Sequence, residues 1–528
     1  MVEFHETCKK AGITGIIGME AYVVPDRMLK DKSPESKCNW HLVLLAKNAE
    51  GVKNLLRIHN DAQINGMHYK PRTDYSMLEE YGKNIIALSG CVGGEIPQHI
   101  FEKDAKATVE AIRRYQSYFD EFYLEIQPGH FNPQRWANSA LVQLAHKLDV
   151  PLVATNDIHY LNKEDYVMHD LHVKSCRGQK VEETKGLVYP DKCYYLMSEE
   201  ELSRYFLRSE HVTDKDIEEA IANTNRIAAQ CDGEVDYRFE MPKYPDLPPA
   251  ETEESYLVKL CQAELKKRMP MLKDPVQYEE RLMYELDVIL KLGFSGYFLI
   301  VKDFLDHARE IGVSVGPGRG SVGGSLVAWL LNITVADPVK YNLMFERFLN
   351  PHRKGWPDID CDFSDTNKMK DYIIEKYGED HTALVGSFVI QKAKAAIHAA
   401  ARLMDVDLDT ANDICKAAPF RVTDDNGEEV KSPTIQQMLD NSAKFRIFQI
   451  QYPELFKMAM DIESFPKTYG IHAAGIVISP ESILDKIPIR VDKDTGRYIS
   501  LLDKNYIEHC AIKYEMTTVS SMICKLFR

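Results

Sequence analysis

The chain has 528 residues, with 65 Lys and Arg against 80 Asp and Glu, a formal net charge of −15, and 45% hydrophobic residues. Such a length implies roughly three or four domains, and nucleic acid would have to meet a local basic surface, because the bulk charge repels polyanions. No run of about 18 apolar residues is present, MVEFHETCKK has no apolar signal core, and the 11 Cys form no C-x-x-C pairs; a membrane span and a disulfide framework are excluded, and a cytoplasmic protein with reduced thiols is expected.

In chain order, residues 1–230 alternate apolar runs with amphipathic segments. ITGIIGMEAYV, HLVLLA, NIIALSG, FYLEIQ and VPLVATN predict strands; AEGVKNLLRIHNDA, AKATVEAIRRYQSYF and RWANSALVQLAHKL predict helices. That rhythm is the pattern of an α/β domain. Metal-type side chains fall at or just after these strand runs: Glu20, His41, Cys91, Asp157 and His159. Singly, each is an ordinary surface or core residue; their recurrence predicts a shared site. Asp157 and His159, two apart, face one way in an extended segment. Residues 231–250 are polar and proline-rich and read as a linker or extended crossing. YEERLMYELDVILKLG has helical apolar spacing and ends at Gly293, a C-cap, and YFLIVKDFLDHAREIG predicts the next helix.

Residues 316–324 read GPGRGSVGG, between an apolar run and a helical one. Glycines let backbone turn sharply and approach an anion. The start of the following helix would offer free N–H groups and a positive dipole end. Ser321 would cap that helix or bond a phosphate oxygen, and Arg319 would add charge. No Gly-Lys-Ser/Thr follows, so this is not a P-loop, and no acidic residue stands where a Rossmann unit needs one. A glycine-rich turn can also be only a turn. Pro357-Asp358-Ile359-Asp360-Cys361-Asp362-Phe363 then alternates acid and apolar residues. As a strand it would put Asp358, Asp360 and Asp362 on one face. Three such carboxylates repel unless cations neutralise them, and Mg²⁺ or Mn²⁺ suits oxygen ligands. A solvent-facing acidic edge is the plainer alternative. A phosphate cradle followed by a metal-binding strand points to two-metal phosphoryl transfer.

Beyond it, KMKDYIIEKYG predicts an amphipathic helix, and TALVGSFVIQKAKAAIHAAARLMD a basic helical stretch with Lys392, Lys394 and Arg402. Residues 403–466 read as helical and mixed in charge. CAIKYEM puts Lys513 and Glu515 on one face of a strand.

GPGRGS, ERFLNP and PDIDCDF, in that order and spacing, resemble the palm of the C-family of bacterial replicative DNA polymerases. IIGMEAYV, HLVLLAKNAEGVKNL, SGCVGGE and ATNDIHYLNKED resemble the polymerase and histidinol phosphatase (PHP) domain that opens those polymerases. The resemblance implies an α/β multidomain chain: a PHP-type α/β barrel-like domain over 1–230, lacking its opening segment, and the linker 231–250. An α+β nucleotidyltransferase-like palm follows over 251–389 and 467–528, with a helical thumb insertion over 390–466. It implies a DNA-directed DNA polymerase using primer–template DNA and deoxynucleoside triphosphates. Gly320, Ser321 and Lys513 would contact the triphosphate, with Arg319 beside them. Asp358 and Asp360 would be catalytic metal ligands for Mg²⁺ or Mn²⁺, with Glu515 at the third position, where the family carries Asp. Lys392, Lys394 and Arg402 would approach DNA. Glu20, His41, Cys91, Asp157 and His159 would hold Zn²⁺ or Mn²⁺ at an incomplete PHP site. The family's fingers and clamp-binding modules are not recognised, so a fragment, or one half of a split polymerase completed by a second chain, is expected. Two other functions fit the same residues: a PHP-type phosphoesterase or exonuclease dependent on His159, and a non-catalytic DNA- or replisome-binding module.

Overall fold

The computed structural model describes residues 2–129, 131–180, 188–189, 191–235, 241–350, 358–419, 421–423, 427–507 and 512–518. By its contacts the chain divides into two units, one of Phe4–Glu234 with Phe388–Gly470, the other of Met1–Glu3, Val235–Ser387 and Ile471–Arg528. Among the described residues no helix is long and apolar enough to cross a membrane.

The first unit is built on a six-stranded sheet. Its strands are β1 (Gly18–Val24), β2 (Trp40–Ala46), β3 (Arg72–Asp74), β4 (Ile85–Leu88), β5 (Glu121–Ile126) and β6 (Leu152–Ala154). They run in the order β3-β1-β2-β4-β5-β6. β2 pairs antiparallel with β1 and β4; β3 with β1, β4 with β5 and β5 with β6 are parallel. β2 alternates, so Leu42, Leu44 and Ala46 are buried between half-exposed neighbours, whereas all of β4 is buried. That difference separates a strand with one wet face from one covered on both. The helices Ala49–Ile64, Ala105–Tyr118 and Asp214–Gln230 start at side-chain caps from Asn48, Asp104 and Thr213, each satisfying an N–H with no partner inside the helix. Asp214–Gln230 also closes the β6 edge: Asn223 Nδ2 donates to Leu152 O and Thr224 Oγ1 to Ala154 O, at 2.8 and 2.7 Å. An edge so covered cannot pair with another chain.

A second core in this unit is helical. Leu171, on Tyr166–Arg177, packs with Ala396, Ile397 and Ala400 of Ala393–Leu403 and with Phe445, Phe456 and Ile462. Alanines on the middle helix let its neighbours approach closely. The stretch TALVGSFVIQKAKAAIHAAARLMD is only helical in its second half; Thr382–Ile390 is a strand, as its Val, Phe and Ile favour.

Another six-stranded sheet lies mainly in the second unit, with the end of one strand and the start of another in the segment Phe388–Gly470. Its strands are β7 (Cys361–Phe363), β8 (Thr382–Ile390), β9 (Pro466–Ile478), β10 (Ile489–Val491), β11 (Tyr498–Asp503) and β12 (Ile512–Thr518), in the order β10-β11-β8-β9-β12-β7. β12 pairs antiparallel with β9 and parallel with β7. The helices Pro275–Leu292 and Ser295–Glu310 precede the glycine-rich stretch, and the first ends at Gly293 with φ +72°, the left-handed cap its sequence predicts.

Candidate active site

The glycine-rich stretch is tied to the acidic segment by backbone and side chain. Val315 and Phe363 form an antiparallel bridge, and Gly316 N donates to Asp362 O at 2.8 Å. Arg319 Nε donates to Asp362 Oδ2 at 2.7 Å. That hydrogen bond, then the charges of Asp362 and Asp360, raise the Arg319 pKa above its usual value. The approach is close: a Cβ on Gly316 would lie 2.6 Å from Asp362 Cβ, and one on Gly318, at φ +93°, 2.8 Å from Thr334 Cγ2.

Three expectations are corrected here. The acidic strand is short: only Cys361–Phe363 is paired, and Asp358 and Asp360 precede it, one exposed and the other half-buried. The third carboxylate, Asp362, is buried and neutralised by Arg319. A cation of the protein itself thus holds one of the three charges, through Nε of a guanidinium that remains half-exposed. Nor does Ser321 cap the following helix. Gly320–Gly324 is a 3₁₀ turn, and Ser325 caps Leu326–Leu330. That helix start is already occupied: Leu326 N and Val327 N donate to the Glu285 carboxylate at 2.9 and 3.1 Å, and Ser325 Oγ donates to it at 2.9 Å. Burial raises the pKa of Glu285, opposed by those two N–H groups and by Arg281. Arg281 Nε donates to Glu285 at 2.7 Å and its Nη2 to the carbonyl of Gly324 at 2.9 Å. An anion at this loop would therefore meet the turn Gly320–Gly323, with Gly320 and Ser321 exposed, rather than the helix start.

Other residues set the acidic segment. Ile359 N donates to the buried Tyr297 hydroxyl at 3.2 Å, between Asp358 and Asp360. In the parallel pair β7–β12, Asp362 is level with Thr517 and Cys361 with Met516. On its other side β12 pairs Lys513 with Val477 and Glu515 with Gly475 of β9. The side chains of Lys513 and Glu515 lie outside the described residues.

In the other unit, Glu20 on β1 and His41 on β2 meet, Nδ1 to Oε1 at 2.9 Å, and Cys91 Sγ stands 3.3 Å from the same nitrogen. The Cys91 contact first, then Glu20, raise the His41 pKa to about 10 against burial. His159 Nδ1 turns instead to the carbonyl of Asp157, at 2.7 Å. Burial raises the Asp157 pKa, opposed by the charge of His159 and reinforced by that of Glu20. The five residues thus form a triplet sharing one ring nitrogen and a pair within reach of its charge. Among the described residues no group of three or more His, Cys, Asp or Glu side chains is arranged to hold a metal ion.

A family model of the PHP domain matches residues 1–129, and one of the bacterial DNA polymerase III alpha NTPase domain matches residues 255–514. DNA polymerase III subunit alpha of Aquifex aeolicus is 36% identical over 93% of this chain, that of Borreliella burgdorferi 36% over 97%, and that of Thermus aquaticus 32% over 96%. The chain belongs to the bacterial DNA polymerase III alpha family. It spans 45%, 44% and 46% of the length of those three relatives.

Within this family member, the glycine turn and acidic segment lie inside the matched NTPase region, and Glu20, His41 and Cys91 inside the matched PHP region. Lys392, Lys394 and Arg402 are exposed on the helical part of the first unit, with Lys392 Nζ bonded to Ser432 Oγ at 3.0 Å. The residues that sequence reasoning missed are supports: Glu285, Arg281, Tyr297 and the pairing role of Asp362. Only Glu285 left a trace, a charge on the apolar side of a helix; its partners lie about 40 residues away, at Ser325, Leu326 and Val327.

Proposed function

We propose that the chain carries the catalytic centre of a DNA-directed DNA polymerase, which transfers a deoxynucleotide from its triphosphate to a primer 3′-OH on a DNA template. The observation that carries this is the Arg319–Asp362 pair, which fastens the glycine turn beside Asp360 and Asp358. Asp358 and Asp360 directly precede β7, which pairs with β12, the strand that carries Glu515, and Glu515 would complete the carboxylate set. Such an oxygen donor set fits Mg²⁺ or Mn²⁺. Bound there, the ions would acidify the primer hydroxyl and neutralise charge on the triphosphate. The chain's own residues bind and orient. The N–H groups of the Gly320–Gly323 turn, with Ser321, would receive phosphate oxygens; Lys513 would face them from β12; Lys392, Lys394 and Arg402 would meet the DNA backbone.

Primer extension in Mg²⁺ or Mn²⁺ tests this, alongside triphosphate binding by calorimetry. Asp358→Ala and Asp360→Ala are expected to cut extension by about 100-fold or more. Glu515→Asp is expected to raise it, since one methylene fewer restores the reach of the family's Asp, and such sites tolerate roughly 0.5 Å. Extension that survives Asp358→Ala would defeat the reading. The Glu20–His41–Cys91 contact keeps a second reading in view, phosphoester hydrolysis in the PHP region, which would survive Asp358→Ala and vanish with His159→Ala.

A further inference from the structure

The first unit of this acidic chain carries a cavity lined by a cluster of basic side chains. A cavity of about 690 Å³ in the first unit is bordered by His99, Lys103, Arg135, Lys147, Arg208 and His211, against one carboxylate, Glu210. Its walls are the helices Glu95–Phe101, Ala105–Tyr118 and Asn132–Leu148, and a segment pinned where Ser139 Oγ donates to the carbonyl of Glu210. Two carboxylates face one of these cations: Glu95 and Glu102 stand 3.6 and 3.4 Å from His99. Lys103, Lys147 and Arg208 are exposed. Lys103 and His211 are held at φ 59° and 62°, a backbone that side chains other than glycine adopt at a cost.

At one end of the cavity stands an aromatic shelf. Trp136 is stacked on Phe101, centroids 5.1 Å apart and planes at 24°, yet remains 45% exposed. The floor beside it is apolar, from Ile100, Val109 and Leu144. Trp136 and Asn132 also border a neighbouring open groove of about 730 Å³. That groove ends at Val92 and Gly93, next to Cys91. A ring with an open face beside basic side chains is what unpaired bases and their phosphates need. An acidic peptide would use the cations but has no use for the stacked ring.

We propose that this cavity binds single-stranded DNA, with a base stacked on Trp136 and phosphates on Arg135, Arg208, Lys103 and Lys147, and that the groove carries the strand toward the loop of Cys91. The proposal stands without the polymerase reading, because it uses neither the glycine turn nor the acidic strand.

The test is anisotropy of a labelled 20-residue oligo-dT titrated with the full chain at several salt concentrations. Trp136→Ala is expected to weaken binding about 5- to 150-fold with the salt slope unchanged. Lys147→Ala/Arg208→Ala, which alters exposed side chains only, is expected to lower the salt slope by about 1.4, two phosphates at about 0.7 each. Retained thermal melting and circular dichroism identify loss of binding without loss of fold. Failure of the wild-type chain to bind at 50 mM salt overturns the proposal. So does binding that both variants leave intact and Lys394→Ala/Arg402→Ala removes, or polyglutamate that competes as well as oligo-dT. Loss of primer extension with these results intact would count against the polymerase reading alone.

Discussion

Arg319 and Asp362 are 43 positions apart in sequence, and the guanidinium Nε meets Oδ2 at 2.7 Å. The two ends of the pair differ: the Asp362 side chain is 9% exposed and that of Arg319 48%. Asp362 Oδ1 is buried with no hydrogen-bond partner among the described residues, so the carboxylate relies on this one contact and on its setting.

That asymmetry predicts unequal mutants. Arg319→Ala strands a buried carboxylate and is expected to cost about 1–2 kcal/mol, discounted for the exposed guanidinium. Asp362→Ala leaves an arginine that water can reach, and should cost less. In urea unfolding the double variant is expected to lose less than the two single losses added; strict additivity would show that the pair does not couple.

Glu285 is the firmer support. Glu285→Ala removes the acceptor of two buried N–H groups and of Ser325, and the partner of Arg281. About 3–5 kcal/mol is expected, with triphosphate binding lost before global unfolding. A loss under about 1 kcal/mol in chemical denaturation would refute this role.

Two glycines of the turn should respond differently to alanine. At Gly316 the new Cβ would clash with Asp362 Cβ at 2.6 Å, so the turn must move off the acidic strand. At Gly320 no atom lies within 4 Å, and only φ +65° opposes the change, at about 1–2 kcal/mol. Gly316→Ala is expected to lower both melting temperature and triphosphate affinity more than Gly320→Ala; the reverse order would place the turn elsewhere.

A pH effect is expected from Glu95. Burial pushes its pKa up, but the hydrogen bond from His99, the charge of Arg114 and the hydroxyls of Tyr115 and Tyr75 outweigh it, and the net pKa is lowered from 4.5. A lowered carboxylate pKa contributes stability above 4.5 that is lost as pH falls through the folded value. Glu95→Gln should therefore melt lower than wild type at pH 7, by about 2 kcal/mol for a charged hydrogen bond. The gap should narrow as pH falls below 4.5 toward the lowered folded pKa. A gap constant from pH 7 to 3 would contradict it.

Local pattern alone sufficed for much of the chain. Glycine at 293 had to end its helix because a left-handed cap costs glycine little. The alternation of HLVLLA had to give a strand with one wet face, and the order of GPGRGS, ERFLNP and PDIDCDF was enough to name the family. These are statements about residues near one another in sequence. What tertiary structure alone decided is which groups were already taken. Sequence left Arg319 free for phosphate and Leu326 and Val327 as open N–H donors; folding gave the first to Asp362 and the other two to Glu285. Alternation likewise predicted three equivalent carboxylates, yet only Asp362 lies in a paired strand, because pairing depends on β12, which arrives about 150 residues later. A side chain's chemistry is written in its residue type, but its availability depends on partners that chain closure brings to it.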